Sequence, residues 1–485
     1  MSTKTSEYSM YVAGAWVESE SGARMEAASP ATGESIGSVP EGTREDARRA
    51  IAAANAAAGD WARRSAFERA AAMERVAEIA RERRDELART LTLDQGKPLQ
   101  CEAYSEVDEL VEYWRMAAAE ATRIEGAMPP SVDAAKRVLA YRVPRGVVGV
   151  ITPWNWPYTM PAEAIAPALA SGNAVVWVPA PSTSICAVKL AECIVDAELP
   201  AGVFNLVTGA GPIVGDEVAA NPGTQAVAFI GSIATGRRVA ERAAGKAQLL
   251  EMGGNGPMVV LDDADVDAAV EATLVASFLC AGQSCTAGEL FLVHEAVHDA
   301  FLTGLVDAVA RDVRLGDPFA AETTMGPLNN EPTAAKMDRH VGDAVARGAT
   351  VVAGGGRASG FPTQLYYAPT VIDAVTEEME VAREETFGPI APIATIRSDE
   401  EALAIANSSP YGLLTAVFTK DLARGLRFAE AVRAGWVNVN ESSNYWESHL
   451  PFGGRAGSQS GVGRVGGRFS LDTFTELKTV LVNLG

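Results

Sequence analysis

Cys285 lies in Ala281-Gly-Gln-Ser-Cys-Thr-Ala287, a turn of small and polar residues that follows a helical stretch. A thiol acts as a nucleophile where the backbone leaves it open and nearby dipoles favour the thiolate. Most lone cysteines are instead small buried hydrophobes. Cys186, Cys193 and Cys280, on apolar helical patterns, fit that description, whereas Cys285 fits it poorly. Glu251 is a candidate partner. It ends the apolar run Gln248-Leu-Leu-Glu-Met-Gly-Gly254, where a carboxylate is costly unless solvated or functional. It reads as a general base or as an ordinary strand-end acid. Asn155, in Ile151-Thr-Pro-Trp-Asn-Trp-Pro157, offers an amide donor from a proline-fixed turn, or is simply a turn residue. Of the four histidines, only His449, in an irregular loop, stays open as the partner of a Cys–His hydrolase.

Two glycine loops are candidates for phosphate. Gly209-Ala-Gly-Pro-Ile-Val-Gly215 has the wrong spacing for a dinucleotide fingerprint, and no strand-end acid follows about 20 residues on. Phe229-Ile-Gly-Ser-Ile-Ala-Thr-Gly236 follows a strand and opens a helix. Ser232 and free backbone amides there suit a pyrophosphate, although a plain strand–helix turn has the same pattern.

The elements that position these residues are readable from periodicity. Ser65 with Glu68 has capping-box spacing, and Met73, Val76, Ala77 and Ala80 continue one helical face. A second helix is predicted over Tyr104–Ile124. From about residue 138, short apolar runs (Val147–Ile151, Ala174–Val178, Val203–Val207, Gln225–Ile230, Met258–Leu261) alternate with helical patterns such as Ser184–Asp196 and Thr235–Ala244. That order implies parallel strands joined by right-handed crossovers. Asp265–Cys280, Leu290–Val293 and Val297–Val313 begin a second such unit, and Thr475–Asn483 reads as a last strand. The expected fold is α/β, with two doubly wound domains and a ligand cleft beyond the carboxyl ends of strands.

Composition narrows the function. The chain has 485 residues, 48% apolar and 21% charged. At roughly 150 residues per domain this suggests two to three domains. A net charge of −21 repels phosphate backbones and anionic lipid, so neither nucleic acid nor a membrane surface is an expected partner. No apolar stretch reaches the roughly 18 residues of a membrane span. Met1–Met10 lacks the apolar core of a secretory signal. Five cysteines without paired metal-site spacing suggest reduced thiols in a cytoplasm and no metal centre.

Together these segments resemble the aldehyde dehydrogenase superfamily, in order, over nearly the whole chain from Ser29-Pro-Ala-Thr-Gly-Glu34 onward. The landmarks are Pro153-Trp-Asn155, Gly231-Ser-x-x-x-Gly236, Glu251-Met-Gly-Gly254 and Gly282-Gln-Ser-Cys285. Glu384-Glu-Thr-Phe-Gly-Pro389, Tyr411-Gly-Leu413 and Pro451-Phe-Gly-Gly454 follow. The resemblance implies Cys285 as nucleophile and Glu251 as general base, with Asn155 and the Cys285 N–H forming an oxyanion hole. It implies NAD or NADP as cofactor, held by Ser232 with Gly231 and Gly236, by Ile151, Thr152, Pro153 and Trp154, and at the adenosine end by Val178 and Pro181. Glu385 would bind the nicotinamide ribose, with Phe387 beside the ring. A Rossmann-like cofactor domain is implied over 1–121 and 145–253, and a catalytic domain over 254–454. A β oligomerisation arm, 122–144 with 466–485, would make homodimers or homotetramers.

Three departures stand out. Val178-Pro-Ala-Pro181 replaces the family's Lys-Pro-Ser-Glu, Cys280 stands where Asn is usual, and Leu290 where Arg is common. Losing the acid removes repulsion of a 2′-phosphate, and losing the lysine removes an attraction for it. With no Lys or Arg in 174–183, the expectation tips to NAD. The loop Asn440–His449 also lacks Lys and Arg, although Arg455 and Arg464 follow, so a neutral aliphatic or aromatic aldehyde is the expected substrate. The alternatives are a coenzyme A-acylating dehydrogenase, a cofactor-free thiol hydrolase or acyltransferase using Cys285 with His449, and a catalytically silent oligomer.

Overall fold

A computed structural model describes residues 6–485. Residues 1–5, which include the first part of the segment read for a secretory leader and the start of the cofactor unit, lie outside the described residues. Two sheets organise the chain. The first runs Gly461–Val462, Ala247–Met252, Ala226–Gly231, Val147–Ile151, Ala174–Val178, Phe204–Leu206, Met10–Val12, Ala15–Val17. Its middle five strands are parallel and both edges are antiparallel. Val147–Ile151, Ala174–Val178 and Ala226–Gly231 read as unbroken apolar runs because both faces are covered. Val148 and Val150 face one helical layer, which includes Ala66–Glu82, Tyr104–Ala121 and Thr159–Ala170. Val147 and Ile151 face the other, which includes Arg44–Arg63 and Ile233–Arg242.

From Val147–Ile151 the chain winds outward through Ala174–Val178 and Phe204–Leu206. It then returns to the other side at Ala226–Gly231. The switch point therefore lies between Val147–Ile151 and Ala226–Gly231, and a crevice opens past Ile151 and Gly231, where such sheets hold ligands.

The second sheet runs Thr350–Ala353, Thr370–Asp373, Ile390–Ile396, Leu290–His294, Pro257–Val260, Leu414–Phe418, Trp436–Val439, parallel except for its first pair. Lys136–Pro144 and Thr475–Asn483 form a separate antiparallel ribbon paired over nine positions.

Local signals set most boundaries. Ser65 and Glu68 close the expected capping box at Ala66–Glu82. The helix expected over Thr235–Ala244 starts earlier, at Ile233, because the Ser232 hydroxyl caps it by accepting the Thr235 N–H. The helix expected to reach Ile124 ends at Ala121. The pattern read through Cys280 stops at Phe278. Cys280, Ala281 and Gly282 then take positive φ of 52°, 52° and 71°, a reversal that periodicity does not encode. Cys280 is buried, as expected, but in this turn rather than on the helix.

Phe291 is fully buried at the centre of the second sheet. Phe291→Ala should cost about 3–5 kcal/mol. Leu422→Ala, at a side chain 65% exposed, should leave the denaturant midpoint nearly unchanged. Equal midpoints for the two variants would show that this sheet is not the core described.

Candidate active site

The landmark segments converge through close approaches at glycines. A Cβ on Gly282 would lie 2.1 Å from the Gly388 carbonyl oxygen, so the Cys285 turn packs on the Glu384–Pro389 segment. A Cβ on Gly253 would lie 2.4 Å from both Glu385 carboxylate oxygens, and one on Gly453 2.6 Å from Glu251 Oε1.

They enclose a cavity of about 190 Å³. Pro153, Trp154, Asn155, Gly231, Ser232, Glu251, Cys285, Glu385 and Phe387, all singled out from sequence, line it. Ile151, Thr152, Val178, Pro181 and Gly236 do not. Thr152 is buried at the strand end, where its hydroxyl accepts the Trp177 indole N–H at 2.9 Å and its N–H donates to the Val178 carbonyl at 3.2 Å. Val178 is buried and Pro181 exposed. Gly236 lies against Met252. His449 is not brought to the thiol. It stands exposed, with Nδ1 3.5 Å from Glu447, and does not line the cavity.

Cys285 is half-buried. Its thiol is pushed well above the ordinary value, first by burial and then by Glu385, Glu251 and Glu163. Glu251 is 5% exposed, and neither carboxylate oxygen has a hydrogen-bond partner among the described residues. Burial, then Glu163, raises its pKa well above the carboxylate range, against the pull of Arg464. An unpartnered buried acid is expensive, and such groups mark functional sites. The buried Asn155 amide donates to the Gln283 carbonyl at 2.9 Å, which fixes its plane and leaves its second N–H free.

The wall around Glu385 and Phe387 is equally built. Trp154 and Phe387 meet edge to face at 5.5 Å. Phe387 holds φ +62°, and Glu289 accepts the N–H groups of Thr386 and Phe387 at 2.6 and 2.7 Å. Glu385 accepts the Gly254 N–H at 3.2 Å, and burial lifts its pKa to about 7 against Lys336. Exposed Ser232 caps its helix at the switch-point crevice, so a pyrophosphate would meet free amides there.

Beneath the site lies a buried ion cluster that sequence reading passed over. Lys97 Nζ is 2.6 Å from Glu106 Oε2 and 3.6 Å from the centre of the Trp156 ring. Glu106 Oε1 accepts the Tyr158 and Thr159 N–H groups at 2.9 and 3.4 Å. Both Glu102 oxygens lie 3.1 Å from the Cys280 N–H. Also missed were Glu163, Lys336 and Trp446 on the cavity wall. Glu163 carried a signal: it is a lone acid in an otherwise apolar helix, as Glu251 is in its strand.

An α/β fold with a thiol, an amide and a buried carboxylate on one cavity at the switch point fits the class the sequence resembles, the thiol-dependent aldehyde oxidoreductases. The chain belongs to the aldehyde dehydrogenase family, whose model matches residues 16–480. It is 38% identical over 476 residues to the NADP(+) succinate-semialdehyde dehydrogenase GabD of Escherichia coli, covering 97% of each chain. It is 37% identical over 482 residues to betaine aldehyde dehydrogenase of Bacillus subtilis, covering 98% of this chain and 97% of that one. The crystal structure of succinate-semialdehyde dehydrogenase from Burkholderia pseudomallei superposes with a TM-score of 0.95 at 38% identity, covering 100% of both chains.

The surrounding carboxylates predict the behaviour of the thiol. Alkylation of Cys285 by iodoacetamide, followed by intact mass, should be slow at neutral pH and rise through an inflection above the ordinary thiol value of 9.0. Glu385→Gln removes a negative charge that opposes the thiolate, so the inflection should move to lower pH. An inflection below 9.0 that is unmoved in the variant would contradict this electrostatic picture.

Proposed function

We propose that the protein oxidises an aldehyde to its carboxylic acid with NAD or NADP, and that Cys285 is the nucleophile. The observation that carries this reading is the placement of Cys285, Asn155 and unpartnered Glu251 on the wall of one cavity, next to the switch-point crevice. The Cys285 thiol gives up its proton to solvent and its sulfur adds to the carbonyl carbon. The oxygen that gains charge is held by the free Asn155 N–H and the Cys285 backbone N–H. A bound nicotinamide supplies the hydride acceptor. Collapse of the oxyanion leaves a thioester on Cys285. Water attacks it as Glu251 takes the proton, releasing the acid and restoring the thiol. A carboxylate whose pKa is raised by burial suits that task.

For the cofactor, Gly231 and Ser232 would hold the pyrophosphate, Glu385 the ribose, and Phe387 with Trp154 the nicotinamide wall. Val178 and Pro181 bring no charged side chain to the adenosine end, which supports modest discrimination with NAD preferred.

The cofactor unit would comprise 1–121 and 145–253, and the catalytic unit 254–454. The ribbon in 122–144 and 466–485 leaves Tyr141, Leu477, Leu481 and Val482 between 39% and 66% exposed. That apolar surface supports assembly into a homodimer or homotetramer. No described helix is long and apolar enough to cross a membrane. Five free cysteines support a cytoplasmic setting.

Three variants test the roles. Cys285→Ala should abolish turnover while the protein still binds cofactor. Asn155→Ala should lower kcat by about 10²–10³ with little change in cofactor affinity. Glu251→Gln should release at most one fast equivalent of reduced cofactor and accumulate an acyl adduct visible by intact mass. Rapid multiple turnover in Glu251→Gln would remove Glu251 from the mechanism.

A further inference from the structure

Resting on the reading that Cys285 attacks an aldehyde, we propose that the substrate end of the cavity receives a cationic ammonium group. Preferred substrates would then be aldehydes bearing a protonated or quaternary amine, and aldehydes bearing a carboxylate would be disfavoured.

The wall carries this. Glu163 lines the cavity, is 4% exposed, and sits on Thr159–Ala170, a helix buried at every position. Its Oε1 accepts the Tyr113 hydroxyl at 2.7 Å, and no described residue hydrogen-bonds Oε2. A buried carboxylate with a spare oxygen beside a ligand cavity is a site for a donor or a cation. Two more acids extend the negative charge outward. Glu109 is half-buried and accepts the Thr159 hydroxyl at 3.4 Å, and Glu112, one turn on, accepts the Ser448 hydroxyl at 2.7 Å. Glu109 raises the pKa of Glu163, so the two acids share one field.

Between and beside them stand aromatic faces. Trp156, Trp446 and Phe452 line the cavity. Trp446 lies 6.3 Å from Tyr113 and 6.2 Å from Phe452, ring centre to ring centre. Aromatic faces with carboxylates behind them attract ammonium groups. Among lining residues the only Lys or Arg is Lys336, and it acts on Glu385 and Glu289 at the cofactor side. Lys97 is paired with Glu106 behind Trp156, and Arg464, whose Nη1 donates to the Gly454 and Gly463 carbonyls, acts on Glu251 and not on Glu163. A substrate carboxylate would meet Glu163 with no clamp. This replaces the neutral aldehyde expected from the loop Asn440–His449 alone, because Glu163 and Glu109 lie on elements outside that loop.

The test uses pairs that differ only in charge. Betaine aldehyde and 3,3-dimethylbutanal share a shape, as do 4-(trimethylammonio)butanal and 5,5-dimethylhexanal, and succinic semialdehyde supplies the anion. The readout is kcat/KM from reduced-cofactor absorbance. In at least one pair the cation should exceed its neutral isostere by about tenfold or more, and succinic semialdehyde should fall below both. In Glu163→Gln the cation-to-neutral ratio should drop towards one. If that variant does not fold, Glu109→Gln should lower the same ratio. Neutral isosteres that match or beat both cations, or a ratio unmoved in the folded variants, would overturn the proposal. Turnover of the neutral aldehydes in either case leaves the aldehyde oxidation itself standing, whereas no turnover of any aldehyde would count against that underlying reading.

Discussion

One buried cation holds the site together. Lys97 and Glu106 are almost wholly removed from water, and the pair survives there only because further hydrogen bonds satisfy the carboxylate. Those bonds come from the Asn155 side of the site, through the N–H groups of Tyr158 and Thr159. Glu102, drawn to the same Lys97, grips the Cys280 N–H at the start of the Cys285 turn. A single ammonium thus ties together the loop carrying the proposed oxyanion donor and the loop carrying the proposed nucleophile. Removing one partner from a buried pair typically costs about 3–5 kcal/mol. Here it would also release the two backbone segments that carry Asn155 and Cys285.

Close backbone contact does the rest. The turn at Cys280–Gly282 is strained, with two non-glycine residues at φ +52°. It is held by Glu102 at one end and by the approach of Gly282 to Gly388 at the other. Such strain persists where surrounding contacts over-determine it, and it concentrates at functional sites. The Asn444 amide joins the outer loop to this turn, its Oδ1 accepting the hydroxyls of Ser284 and Thr286 at 2.8 and 2.6 Å. The cavity wall bearing Trp446 is therefore coupled directly to the residues flanking Cys285.

The doubly wound strands were legible because sheets covered on both faces leave continuous apolar runs, and the Ser65 cap because its partner lies three residues away. Glu251 was legible because an acid closing such a run is expensive. Glu163 obeys the same rule, yet a single acid within a helical pattern reads as one more polar position. Lys97, Glu102 and Glu106 resemble a solvated charged stretch. Their burial depends on partners such as Cys280, 178 residues from Glu102, which no local pattern contains. The positive φ of Phe387 is equally silent, since it is imposed by Glu289 across 98 residues. His449 shows the converse: an irregular loop kept it eligible, and only the fold turns it to Glu447 and away from the thiol.

Lys97 should act on turnover by holding the Asn155 loop against the Cys285 turn. A double-mutant cycle in kcat with Lys97→Met and Asn155→Ala measures this most directly. If the claim is right, Lys97→Met lowers kcat strongly when Asn155 is present and much less when it is already Ala, so the two losses fall well short of additive. Fully additive losses in folded variants would show that Lys97 does not act through the Asn155 loop, and would contradict the claim.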